Sequence, residues 1–305
     1  MASTLPTCCD LSLDTNFNLP KCFIDKNSAN PLGLNHYSYF ENLNLSTEDK
    51  EKISAFVDTN SLIMMAWKEE NAAFWLTELY KLTTDPVKRL FFLKEAYEEQ
   101  EHFSLLVSII NQLFDSETLN KEFLSFKNSY DNLRKFEYQN ETLSSSLFGY
   151  TIKEIEVLAY VEQIKQNTTL EPLKKVLESI VSDEIEHLQY GTIFIGEGKI
   201  ERYKSMYKDT LYTSFQALFS KFYPSFLLHY VKQYCQQYNL NYNNVIENIK
   251  GSNRNKDFIL TMVPMYYKYG QIFGIVDSDF ETTLKNAGVL DQYHALKNER
   301  QTNET

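Results

Sequence analysis

Proline is almost absent from the middle of this chain. Between positions 32 and 223 it occurs only twice, as Pro86 and Pro172. Each follows an acidic residue, in Asp85-Pro86 and Glu171-Pro172. Proline is tolerated in the first turn of a helix and breaks its interior. The long stretches between these two positions therefore predict helices, and each proline marks a start. The reading gives two helical hairpins. One helix over about 47–82 turns into a second over about 86–113, and a third over about 144–167 turns into a fourth over about 171–195. Residues 116–143 join the hairpins as a long, partly helical connection, a known variant of the four-helix bundle. Ser46-Thr47-Glu48-Asp49 opens the first helix, with Ser46 as N-cap and Asp49 in the capping-box position.

Apolar spacing supports this layout. Phe56, Ile63, Trp67 and Phe74 recur along the first helix at steps of seven, four and seven. Leu93, Ala96, Phe103, Leu106 and Ile110 keep a similar face on the second. With only 9 Gly and 7 Pro in 305 residues, there is little material for a turn-rich all-β fold. Residues 1–45 read as an irregular arm carrying Pro6, Pro20 and Pro31. Beyond residue 200 the chain is expected to stay helical over about 201–239, with a kink at Pro224, then over about 256–275 and 280–297. The organisation expected is thus an arm (1–45), a four-helix bundle (46–200) and a helical extension packed on it (201–305), all one structural domain.

The net charge of −11 argues against nucleic acid as a partner, because an acidic surface repels phosphate. No run of about 18 uncharged apolar residues exists, so no membrane span is expected, and no apolar stretch follows a basic start as in a secretory signal. Cys8, Cys9, Cys22 and Cys235 form no paired metal spacing, which suggests thiols in a reducing, cytoplasmic setting.

The chemistry lies in two matching segments. Glu98-Glu99-Gln100-Glu101-His102 and Asp183-Glu184-Ile185-Glu186-His187 both read acid-Glu-x-Glu-His. They lie 85 residues apart, each in the second helix of a hairpin, as an internal duplication would place them. Glu99 and His102 are three apart and share a helix face, so they can hold one metal together; the same is true of Glu184 and His187. A dinuclear site also needs one carboxylate from each partner helix. Reflection through the two hairpin turns lands near Glu70 and Glu156, with Glu69 and Glu154 as the alternatives. Four carboxylates balance two divalent cations if the imidazoles are neutral, and oxygen and nitrogen ligands suit iron or manganese. Asp183 and Glu98 either hydrogen-bond the outer nitrogen of the opposite histidine or are plain surface charges. Glu101 and Glu186 point away from the ligand face. His36, His229 and His294 read as structural or exposed, and Tyr160 as a core residue or a redox-active one.

These paired motifs resemble the ferritin-like di-iron carboxylate proteins over about 46–195. Helices three and four look closest to the aldehyde-deformylating oxygenases, through Glu156-Val-Leu-Ala-Tyr160 and Asp183-Glu-Ile-Glu-His187-Leu-Gln-Tyr-Gly191. The resemblance implies an all-α, ferritin-like four-helix bundle holding two Fe ions, or an Mn/Fe pair. Glu70 and Glu156 would be terminal ligands, Glu99 and Glu184 bridging, and His102 and His187 capping. It implies an oxygen-dependent oxidase or oxygenase acting on a small hydrophobic or aromatic substrate. Trp67, Phe74, Phe103 and Leu106 are candidate walls of its pocket, or simple packing. An external electron donor and a homodimer fit this class. Two alternatives belong to the same superfamily, a ferroxidase that handles iron without an organic substrate and a di-iron N-oxygenase. The N-oxygenases place a histidine four residues before the last glutamate, where this chain has Ile180. A metal-free helical interaction protein is the third alternative, and it would leave the interior glutamates without a purpose.

Overall fold

The computed structural model describes residues 22–28, 30–35, 40–124, 143–195, 231–236, 238–272, 278–286 and 289–303. These residues are all-α; apart from one isolated bridge between Leu34 and Thr168, they form helices and turns. Two hairpins make the core. Helix α1 (Thr47–Leu82) turns into α2 (Pro86–Leu113), and α3 (Leu143–Asn167) turns into α4 (Glu171–Ile195). The four helices begin and end within a residue of where the sequence places them. Helices α1 and α3 touch, as do α2 and α4, which closes a four-helix bundle.

The starts are set by local chemistry. Ser46 Oγ accepts from the Asp49 amide at 3.1 Å and donates to the Asp49 carboxylate at 2.6 Å. Asp85 caps α2 by accepting from the amides of Val87 and Lys88, with Pro86 in the first turn. Arg89 then clamps this turn, donating to the Thr83 carbonyl at 2.7 Å while its guanidinium lies over the Tyr80 ring.

The described part of the N-terminal arm has no helix but is not loose. Leu32 and Phe40 are fully buried. The amides of Phe23 and Ile24 donate to Gln112 near the end of α2. The Thr169 amide and the Thr168 hydroxyl donate to the carbonyls of Gly33 and Leu32, so the arm straps the α3–α4 turn. Gly33 has φ +58°, and a Cβ there would stand 2.7 Å from Thr169 Oγ1 and 2.9 Å from Leu170 Cγ, so only glycine fits.

The C-terminal region departs from expectation in one place. A helix α5 (Tyr242–Gly251), capped by Asn241, lies between the helices expected over 201–239 and 256–275. It leads into α6 (Asn253–Ile272), which packs on α3 and holds Pro264 inside it. The helix expected over 280–297 is described in two pieces, α7 (Ser278–Asn286) and α8 (Val289–Asn303), with 287–288 outside the described residues. The helix expected over 201–239 lies outside the described residues except at 231–236, which is helical, and 238–239, which form a turn. Among the described residues no helix is long and apolar enough to cross a membrane.

Arg254, at the start of α6, ties the extension to the bundle. Its guanidinium meets Asp58 of α1 with two contacts, at 2.8 and 2.7 Å, and both side chains are buried. Its carbonyl accepts from Gln163 of α3 at 2.8 Å. Removing one member of a buried pair leaves an uncompensated charge and costs about 3–5 kcal/mol. Asp58→Ala is therefore expected to lower the urea midpoint by an amount equivalent to about 3–5 kcal/mol. Lys52→Ala, at the exposed Lys52–Glu48 pair, should change it by less than about 1 kcal/mol. Equal effects from the two variants would show that the buried pair is not a structural anchor.

Candidate metal centre

The centre lies where the four bundle helices face one another. Glu69 of α1, Glu99 and His102 of α2, Glu154 of α3, and Glu184 and His187 of α4 are all buried, with Glu154 the most accessible at 5%. Glu69, Glu99, His102 and Glu184 bring their ligand atoms within 4.8 Å of one another, a group able to hold a metal ion.

The two central carboxylates take equivalent positions. Glu99 presents one oxygen to the His102 Nδ1 at 3.8 Å and the other to the His187 Nδ1 at 3.3 Å. Glu184 presents its oxygens to the same two nitrogens, both at 3.5 Å. Glu69 closes on the His102 Nδ1 at 3.3 Å. The imidazole rings are 6.2 Å apart. Neither oxygen of Glu184 makes a well-directed hydrogen bond, nor does the His187 Nδ1, so polar atoms point into the centre with their bonding capacity unused.

Outside this ring, the acids that precede the two glutamates cross over. The His102 Nε2 meets Asp183 at 3.1 Å, and the His187 Nε2 meets Glu98 at 3.2 Å. Of the two readings left open for Asp183 and Glu98, the geometry supports the histidine partner. The crossing also shows that α2 and α4 run antiparallel. An outer carboxylate accepting from Nε2–H fixes the tautomer and leaves the Nδ1 lone pair facing inward. Glu98 is held in turn by Lys94, which also binds Glu186 at 2.8 Å on the surface.

Charge is compensated within the cluster. Burial opposes the imidazolium form, yet hydrogen bonding with Asp183, Glu184, Glu69 and Glu99 raises the His102 pKa well above its ordinary value. The His187 pKa rises likewise, against burial, through Glu184, Glu98 and Glu99. Burial also pushes the carboxyls up, but both imidazoles hold Glu99 well below the usual carboxylate range. Against burial and the charge of Glu99, Glu154 and the two imidazoles bring Glu184 down to about 2. Glu69 and Glu154 are pushed well up, in each case first by burial and then by neighbouring carboxylates.

Glu99, His102, Glu184 and His187 thus come together as the sequence places them, and one position differs. Glu70 is exposed, and its neighbour Glu69 stands in the cluster instead. Phe74, expected on the same stripe, is 45% exposed, while Leu62, Ala66, Ala73 and Leu76 are buried. Ile63 and Trp67 of the expected stripe are buried, but from Glu69 onward the inward face runs through Glu69, Ala73 and Leu76 and leaves Phe74 out. The side chain of Glu156 lies outside the described ones; Glu154, two residues earlier, reaches Glu184. An available signal was missed. Glu69 precedes Glu99 by 30 residues and Glu154 precedes Glu184 by 30, so an 85-residue shift carries Glu69, Glu98, Glu99 and His102 onto Glu154, Asp183, Glu184 and His187. A fifth buried carboxylate near the site, Glu95, had no role in the sequence reading. Of the other histidines, His294 is exposed, and His36 and His229 lie outside the described residues. Comparison with family models, curated proteins and solved structures gives no match.

Two outcomes follow from this geometry. Glu69→Ala should weaken divalent-cation binding by at least about tenfold, as loss of even a supporting group does. Glu70→Ala should leave binding unchanged, and the reverse ranking in a calorimetric titration would return the inward position to Glu70. Binding also requires His102, His187, Glu69 and Glu154 to lose their protons. Because both histidines titrate above the ordinary 6.5, affinity should keep rising as pH increases beyond that value, with protons released to buffer. Affinity independent of pH between 6 and 9 would contradict this, since the ordinary range of the imidazole lies at its lower end.

Proposed function

We propose that this centre holds two iron ions and that the protein is a dioxygen-dependent oxidoreductase acting on a small hydrophobic or aromatic substrate. The observation that carries the reading is the straddling of both imidazoles by both Glu99 and Glu184. A carboxylate with one oxygen toward each of two nitrogen ligands is placed to bridge two cations. Glu69 and Glu154 then serve as the terminal carboxylates, one from each remaining helix. Four ionised carboxylates and two neutral imidazoles match two divalent ions in charge, so the donor set fits the group. A mixed Mn/Fe pair would meet the same oxygen and nitrogen donors. This arrangement, on a four-helix bundle, is what supports a ferritin-like di-iron relationship.

Bound as two ferrous ions, such a pair supplies the electrons that reduce dioxygen. The protein positions and shields the centre. Asp183 and Glu98 hold the imidazoles with Nδ1 inward. Ala66, Trp67, Leu106, Ile155, Leu158, Ile180 and Leu188 are buried in the bundle core and help keep water from the interior. Of the aromatic residues considered as pocket walls, Trp67 is buried and Phe103 packs edge-on against Phe123, whereas Phe74 faces outward. A hydrophobic or aromatic substrate is the class that such an interior would admit.

Anaerobic titration of the full chain with ferrous ion should saturate at two equivalents. Admission of dioxygen should then produce an optical change that His187→Ala lacks. Saturation at one equivalent, or no reaction with dioxygen, would remove the di-iron reading. Assembly into a closed shell of many subunits with mineral uptake would replace the oxygenase by an iron-storage role.

A further inference from the structure

Glu95 is fully buried, and neither of its carboxylate oxygens has a hydrogen-bond partner. An isolated carboxylate in such a place is costly unless it is neutralised or bound to a cation. It lies one helical turn before Glu99 on α2, so the two share a face. The charged groups that act on it are His187, Glu99, Glu184 and Glu98. The antiparallel crossing of α2 and α4 sets Glu98 beside His187, and the next turn back along α2 carries Glu95 on that same side. It is away from His102, which is paired with Asp183 at the other end of the cluster.

The duplication makes Glu95 exceptional. The 85-residue shift that carries each of Glu69, Glu98, Glu99 and His102 onto its counterpart carries Glu95 onto Ile180. Ile180 is fully buried and apolar. The two halves of the centre are therefore alike in their histidines, in their outer carboxylates and in the glutamates around them, and unlike at this position. One side of the cluster has an additional carboxylate, and the other has a hydrocarbon surface.

We propose that Glu95 is a seventh metal-binding side chain, ligating the ion on the His187 side and making the two metal positions unequal. This rests on the two-ion reading above. The His187-side ion then has its coordination filled largely by protein. The His102-side ion faces Ile180, which offers no donor atom. That is the position left for an exogenous ligand, in apolar surroundings suited to a hydrophobic one.

The test compares wild type with Glu95→Gln and Glu95→Ile, the second giving both halves the residue found at 180. Ferrous ion alone is titrated anaerobically into each full-length protein, and isotopically enriched iron is used for Mössbauer spectra. Thermal melting without metal checks that each variant folds, and Glu95→Gln, nearly the same size, guards against a packing failure in Glu95→Ile. In wild type, two binding steps of unequal affinity and two distinct iron signals are expected. In both variants the tighter step should weaken roughly 10–100-fold, the range set by loss of supporting groups. The signals of Glu95→Ile should also converge. Two ions bound in folded variants with affinities and spectra like wild type would overturn the role of Glu95 and leave the di-iron reading intact. Failure of wild type to bind two ions would instead remove the reading on which it rests.

Discussion

Everything in this bundle is arranged around the cost of taking ionisable side chains out of water. Glu69, Glu95, Glu99, Glu154 and Glu184 are buried with His102 and His187 in one place. Each isolated ion there would cost several kcal/mol after relaxation. The cluster limits this by dividing its protons. Glu99 and Glu184 carry charge against the two imidazoles, while burial favours the neutral form of Glu69, Glu95 and Glu154. Divalent cations would replace these protons as the neutralising charge, which couples metal loading to deprotonation.

The fold supplies the rigidity that this balance needs. Each histidine is held from outside by an acid on the opposite helix, so α2 and α4 fix one another's ligands. The turn that sets the register of α3 against α4 is strapped by the N-terminal arm through Gly33 and Leu32. Arg254 pins the C-terminal extension to α1 through Asp58, and to α3 through Gln163. The arm and the extension are thus parts of the structure that holds the bundle helices in place. A shift of one residue in any helix would turn a ligand outward, because neighbours along a helix point about 100° apart.

Near-duplication also has a chemical consequence. On the proposed two-ion reading, two identical half-sites would treat both metal positions alike, whereas activation of a small molecule at one ion would require an opening at one of them. The exchange of Glu95 for Ile180 across the pseudo-symmetric halves is the kind of difference that can separate these roles without disturbing the bundle.

Much of this was legible from the chain alone. Two prolines and their acidic neighbours set the hairpins, and the repeated acid-Glu-x-Glu-His segments set the face of α2 and α4 that could hold a metal, because caps and i, i+3 spacing are local properties. The choice between Glu69 and Glu70 was not local. From Val57 to Trp67 almost every side of α1 is buried, against α2, α3 and the C-terminal region. A helix covered all round has no single apolar stripe to read. Phe74 then drew the eye to a face that the fold leaves exposed. That Glu154 reaches Glu184 depends on how α3 packs against α4, and Glu95 matters only once α4 brings His187 near it. The sequence determined the helices, most of the cluster residues and the Glu95–Ile180 difference between the halves; the face that α1 turns to the cluster and the burial of Glu95 near it were decided by tertiary packing, where contacts between distant segments select one face among several that the chain allows.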